Sequence, residues 1–170
     1  MPPKAKTRRP AELDGRPPAK KRPPSECECE FIDECAFDGH TRCVEVLIPT
    51  TGVHPRQMAL LLAASEGHSD CVALLIPVSD PKADNSSAIR AAAQNGHLAC
   101  VELLLPVSNP EGSLLLAAQN NRVDVVKRLI PLLGPIESSL ESSLAIMCAA
   151  EYGHKAVVEQ LMPVSDFGDR

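Results

Sequence analysis

Ala92-Ala93-Gln94-Asn95-Gly96-His97-Leu98-Ala99-Cys100-Val101-Glu102-Leu103-Leu104-Leu105-Pro106 decides the fold, because this phrase returns in variant form four more times along the 170-residue chain. A small apolar pair stands three and four residues before Gly96, apolar residues stand four and five after it, a further apolar block follows, and proline closes the phrase at ten. Recurrence every three to four residues is the period of a helix buried along one side. A glycine between two such stripes lets the backbone pass through positive φ and end the first helix in the left-handed conformation. Proline has no N–H to donate and clashes with the preceding turn of a helix, so the second helix is expected to end at about Leu105. The spacing thus predicts two short antiparallel helices joined by a tight turn.

The copies are in phase. Their turn residues are Gly39, Gly67, Gly96, Asn121 and Gly153, and each is followed at ten residues by Pro49, Pro77, Pro106, Pro131 or Pro163. The one substitute for glycine is asparagine, the side chain that best tolerates the left-handed region, as a backbone requirement demands. The small pairs are Cys35 and Ala36, Ala63 and Ala64, Ala92 and Ala93, Ala117 and Ala118, and Ala149 and Ala150. After the turn come Cys43 and Val44, Cys71 and Val72, Cys100 and Val101, Val125 and Val126, and Val157 and Val158.

The pattern Ala-Ala-x-x-Gly-His-x-x-x-Val-x-x-Leu-Leu resembles the helical half of an ankyrin repeat over roughly residues 26 to 166. The family's Thr-Pro-Leu-His opening survives only at its leucine, as Ile32, Leu60, Ile89, Leu114 and Ile146; its histidine slot holds Asp33, Leu61, Arg90, Leu115 and Met147. Turn-to-turn spacings of 28, 29, 25 and 32 residues fall short of the family's period of about 33. The shortfall lies in stretches such as Pro77 to Ser86 and Pro106 to Ser113, where the family carries its projecting β-turn finger. The fingers are therefore expected to be stunted or absent. The expected fold is an all-α, ankyrin-like solenoid of about five helix-turn-helix repeats with short loops, at about 26–52, 53–81, 82–110, 111–135 and 136–166, preceded by a disordered basic tail over 1–25.

Composition agrees with that division. Hydrophobic residues make up 44% of the chain and aromatics only 2%, which suits a solenoid whose units need only small aliphatic packing against their neighbours. Residues 1 to 25 hold eight basic against two acidic residues, or +6, and seven of the 16 prolines. Such a segment buries too little apolar surface to offset its ordering entropy. The remainder carries nine basic and 20 acidic residues, or −11, an asymmetry hidden in the whole-chain value of −5. Apolar runs such as Met58 to Ala64 are far below the roughly 18 residues of a membrane span, and the amino terminus has no apolar signal core; a soluble protein is expected.

Within the tail, Arg8 and Arg9, a ten-residue spacer, then Lys20, Lys21 and Arg22 resemble a bipartite nuclear localisation signal, two basic clusters able to occupy two acidic grooves of a nuclear importer. The same charges also read as a solvated arm without a receptor. Nucleic-acid attachment through phosphates is the weaker alternative, since the tail has no aromatic for base stacking and the remainder is acidic.

Cys43, Cys71 and Cys100 fill one slot in three successive repeats, and Cys35 and Cys148 lie near the small-pair slot. Stacked repeats sit on the order of 10 Å apart and a disulfide needs Cα atoms within about 7 Å, so this ladder is expected to stay reduced, as in an intracellular compartment, nucleus or cytoplasm. Cys27 and Cys29 stand outside the repeat among Glu26, Glu28 and Glu30; without a second ligand pair at zinc spacing they point to no metal site. His40, His68, His97 and His154 each follow a turn residue, and adjacent repeats separate them too far to share an ion, so a role in packing and hydrogen bonding at the turn is expected. Thr41 and Ser69 are expected to cap second helices, and Ser86, Ser113 and Ser143 first helices. His54, Asp80, Asp84 and Asn85 read as loop residues.

No Ser-His-Asp arrangement, phosphate-binding glycine loop or carboxylate pair stands out, so neither enzyme activity nor a cofactor is expected. The resemblance implies protein binding by the inner helix face and loop tips. Carried over position by position, the binding residues are Phe37, Asp38, Ser65, Glu66, Gln94, Asn95, Gln119, Asn120, Glu151 and Tyr152, with Arg90 added from the histidine slot. The expectation is a non-enzymatic scaffold holding one protein partner; an adaptor or regulatory subunit of an enzyme complex, or a microbial effector acting on host proteins, is the alternative.

Overall fold

The computed structural model of the protein describes residues 30–132 and 140–162. Expectations that concern the tail, among them Arg8, Arg9, Lys20, Lys21 and Arg22, and those on Cys27 and Cys29, lie outside the described residues. Within them the chain is all-helical, with no strand. Five hairpins follow one another: α1 (Ile32–Phe37) with α2 (Thr41–Leu47), α3 (Val53–Glu66) with α4 (Ser69–Leu75), α5 (Ala83–Asn95) with α6 (Leu98–Leu104), α7 (Ser113–Gln119) with α8 (Val123–Leu129), and α9 (Leu140–Glu151) with α10 (Lys155–Leu161).

Each turn is built alike. Gly39, Gly67, Gly96 and Gly153 have φ between +73° and +87°, and Asn121 has φ +57°. Passing through the left-handed region brings the next N–H back onto the first helix: His40 N donates to Cys35 O, His68 N to Ala63 O, His97 N to Ala92 O, Arg122 N to Ala117 O and His154 N to Ala149 O, at 2.7–2.9 Å. This six-to-one bond is the Schellman closure. The residue after the turn then adopts φ near −80° and ψ near 75°, the inverse γ conformation, in all five hairpins. At the far end of α2, α4 and α8 the proline sits inside a short 3₁₀ turn, Ile48–Thr50, Ile76–Val78 or Ile130–Leu132, tightening the chain after the last helical turn.

First helices pack on first helices along the array, and second helices on second helices. Between them lies one continuous aliphatic core in which Leu60, Leu75, Leu104, Leu129, Leu161, Val72, Val101 and the alanine pairs of the middle repeats have no exposed surface. An alanine in each small-pair slot is what lets the backbones of neighbouring helices approach. Cys71 and Cys100 are buried free thiols in this core. Burial raises both, Cys100 to about 11, so at neutral pH they remain protonated and act as small apolar fillers.

Several expectations are corrected. Cys43 is disulfide-bonded, so the cysteine ladder is not wholly reduced; Cys71 and Cys100 are free, and the bond therefore does not run between these rungs. His54 is not in a linker, because α3 starts at Val53 and takes in the segment read as a loop. The hydroxyls do not cap as expected: the residues at the starts of α2 and α4 are His40 and His68, with no side-chain capping bond, and Thr41 Oγ1 donates back to Gly39 O at 3.4 Å. Ser113 Oγ is buried without a hydrogen-bond partner, and Ser143 lies inside α9. The donors at the start of α7 are met from the next repeat, where Glu141 Oε1 accepts from Leu114 N at 3.1 Å and Leu115 N at 3.4 Å.

The short linkers hold each other in place of fingers. Arg56 donates through Nε to Thr51 O at 2.9 Å and through Nη1 to Val78 O at 3.2 Å, tying the first linker to the second. Asp84, Asn85 and Ser86 form a left-handed turn with φ of 51–57°, and Ser86 Oγ accepts from Asn109 N of the following linker at 3.0 Å. Ser108 Oγ donates to Pro81 O at 3.2 Å.

Candidate functional site

Helical period places the residues nine, six, five and two before each turn on one stripe of the first helix, opposite the buried stripe. The five stripes lie side by side and form the inner face. In the first repeat this stripe is acidic, with Glu30, Asp33 and Glu34, and ends in Phe37, which is 48% exposed. In the second it is Met58, Leu61, Leu62 and Ser65; in the third Ser87, Arg90, Ala91 and Gln94; in the fourth Gly112, Leu115, Leu116 and Gln119; in the last Leu144, Met147, Cys148 and Glu151. All are exposed or half-buried, and Met147, at 65%, is the most exposed of the apolar ones.

The turn ends are more ordered than bare helix ends. His68 Nε2 hydrogen-bonds Phe37 O at 2.9 Å, and as a carbonyl can only accept, that nitrogen carries the proton. Arg122 Nε donates to Gln94 O at 3.0 Å and His154 Nε2 to Gln119 O at 3.0 Å. At the remaining joint Asn95 Nδ2 donates to Ser65 O at 2.8 Å and to Ser65 Oγ at 3.1 Å. The residue after one turn thus reaches back across the preceding one. A Cβ on Gly39 would lie 2.6 Å from His68 Nδ1, on Gly67 2.5 Å from His97 Nδ1, and on Gly96 2.7 Å from Arg122 Cδ. The expected packing role of these histidines is met, by contacts between repeats rather than within one turn.

The residues expected to bind are thereby sorted. Phe37, Asp38, Glu66, Gln94, Asn95, Glu151 and Tyr152 are exposed along the turn edge, while Gln119 and Asn120 are half-buried. Gln119 Nε2 donates to Tyr152 Oη at 3.3 Å, and the Tyr152 ring stacks on His154 at 6.1 Å between centroids, so the last two repeats share a fixed aromatic corner. Asn120 Nδ2 is used on Leu116 O at 2.8 Å. Arg90 does not join them. It is half-buried, its Nε is buried without a hydrogen-bond partner, and it lies 3.5 Å from where a Gly112 Cβ would stand, toward the linker end.

Sequence reasoning missed the apolar members of the stripe, Met58, Leu62, Leu116 and Leu144, and treated Leu61, Leu115 and Met147 only as replacements for a histidine. The signal was present: three of the five histidine slots are apolar although the burial pattern turns that slot toward solvent.

A family model described as ankyrin repeats in three copies matches residues 32–113, from α1 to the first residue of α7. No curated protein matches the chain.

Proposed function

We propose that this chain, whose residues 32–113 match ankyrin repeats, general protein–protein interaction modules, is a non-enzymatic scaffold holding a protein partner on its inner helix face. The observation that carries the reading is the row of partly exposed Leu and Met side chains on that face, ending at the Tyr152 corner. Aromatic and large aliphatic anchors on a surface that is already ordered bind with little entropic cost. Proximity labelling with wild-type chain and with Met147→Arg plus Tyr152→Ala tests it. Both side chains are more than half exposed, so the variant keeps its circular dichroism, and its labelled partner is expected to be lost. The same partner recovered in full from the folded variant counts against the inner face.

No helix of the described residues is long and apolar enough to cross a membrane. The basic clusters Arg8, Arg9 and Lys20, Lys21, Arg22 support a second part of the proposal, that the tail addresses the protein to a nuclear importer. A fluorescent fusion carrying alanine at Lys20, Lys21 and Arg22 is expected to lose nuclear accumulation; an unchanged distribution removes this part and leaves the scaffold reading intact.

A further inference from the structure

The joints between repeats follow one rule. The turn glycines Gly39, Gly67 and Gly96 are each covered by the residue after the next turn, and at all four joints the alanine three residues before the turn residue and the valine five after it are buried. Ala36, Ala64, Ala93 and Ala118 have no exposed surface, nor have Val44, Val72, Val101 and Val126. Among the described residues the last hairpin carries the same surface uncovered. Gly153 keeps φ +73° but a Cβ there would meet no described atom within 4 Å, Ala150 is exposed and Val158 is half-buried. Among the described residues no donor reaches the carbonyl of Glu151, the counterpart of those of Phe37, Gln94 and Gln119. A shallow cleft of about 330 Å³ runs over this end, lined by Ala149, Ala150, Gly153, Lys155, Val158 and Glu159.

We propose that this end face docks a helical hairpin of the same repeat type carried by another polypeptide, whose histidine or arginine after its turn lies over Gly153 and donates to Glu151 O. The face continues the interface already repeated four times within the chain, and that interface specifies the occupant: small and β-branched apolar side chains against Ala150 and Val158, and one flat cationic or imidazole group over the glycine. A second copy stacked head to tail is not the occupant the ends fit. At the other end of the array Cys43 is buried and already disulfide-bonded. The inference does not depend on the inner face.

The probe is a synthetic hairpin of residues 53–81 of this chain, which presents His68, the side chain that donates to Phe37 O within the array, added to isotopically labelled full-length protein. Saturable shifts are expected at the Gly153 amide and the Ala150 and Val158 methyl groups. His68→Ala in the probe is expected to weaken binding about tenfold, as the loss of one hydrogen bond and its packing does, and Ala150→Arg in the protein to abolish it. Because an isolated hairpin of this length folds weakly by itself, the same hairpin is also tethered after Arg170 by a Gly-Ser linker of about 15 residues, with a mean span of roughly 20 Å. Slowed hydrogen exchange from Gly153 to Val158 is then expected. Unchanged exchange in the tethered protein overturns the proposal, as do shifts centred on Leu61 and Leu115 in place of Gly153. Self-association of the chain alone that is removed by Ala150→Arg, read by sedimentation, assigns the face to a second copy and overturns it too.

Discussion

Gly67→Ala is expected to destabilise the protein by roughly 2–5 kcal/mol, and the same change at Gly153 by only about 1–2 kcal/mol. Both glycines hold φ near +80°, where an alanine Cβ costs about 1–2 kcal/mol. At Gly153 that is the whole effect, because among the described residues the added methyl meets nothing within 4 Å. At Gly67 it falls 2.5 Å from His97 Nδ1 and 2.8 Å from two carbons of the same ring. A ring anchored at the start of α6 cannot swing aside as a flexible tip does, so the third repeat must shift, at about 1–3 kcal/mol for overpacking. Urea titration of the two variants measures the difference. Adding His97→Ala to Gly67→Ala is expected to return part of the loss, a coupling that separates the clash from the backbone term. Equal losses at Gly67 and Gly153 would mean that the ring does not lie over the turn.

Leu75→Ala is the second large effect, expected to cost about 2–5 kcal/mol. Leu75 has no exposed surface and ends α4, which packs on α3, α2 and α6. Truncation leaves a cavity at a point where three repeats meet, and in a solenoid each unit is supported only by its neighbours. Hydrogen exchange is therefore expected to quicken in α2, α4 and α6 while α10 keeps its protection. Leu103→Ala is the control, since Leu103 is on the outer side of α6 and 36% exposed; it should cost well under half as much. A loss near zero at Leu75 would place the helical register elsewhere.

The hairpins were legible because everything that makes them is local. Period, the glycine or asparagine at the turn and the proline ten residues on lie within one unit, and the backbone bonds from His40, His68, His97, Arg122 and His154 onto their own first helices follow from them. Helix starts were not legible. The donors at the start of α7 are met by Glu141, 27 residues from Leu114, so the nearby Ser113 was credited with a cap that it does not make. The candidate site divides in the same way. The turn-edge residues could be named from the repeat pattern, whereas the exposure of Leu61, Leu115 and Met147 needed the burial of their neighbours to be known, and the approach of Arg90 to Gly112 of the next repeat needed the stacking.

By itself the sequence determined how many helical hairpins form within the described residues, where each turns, and which stripe of each is buried, since these depend on backbone conformation and on hydrophobic period within some 25 residues. Only the tertiary structure decided why a histidine or arginine follows each turn. His68 over Gly39 and Arg122 over Gly96 are contacts between units, set by the distance at which one hairpin stacks on the next, and no spacing along the chain records that distance. The same stacking decides that Gly39, Gly67 and Gly96 are covered while, among the described residues, Gly153 stays open.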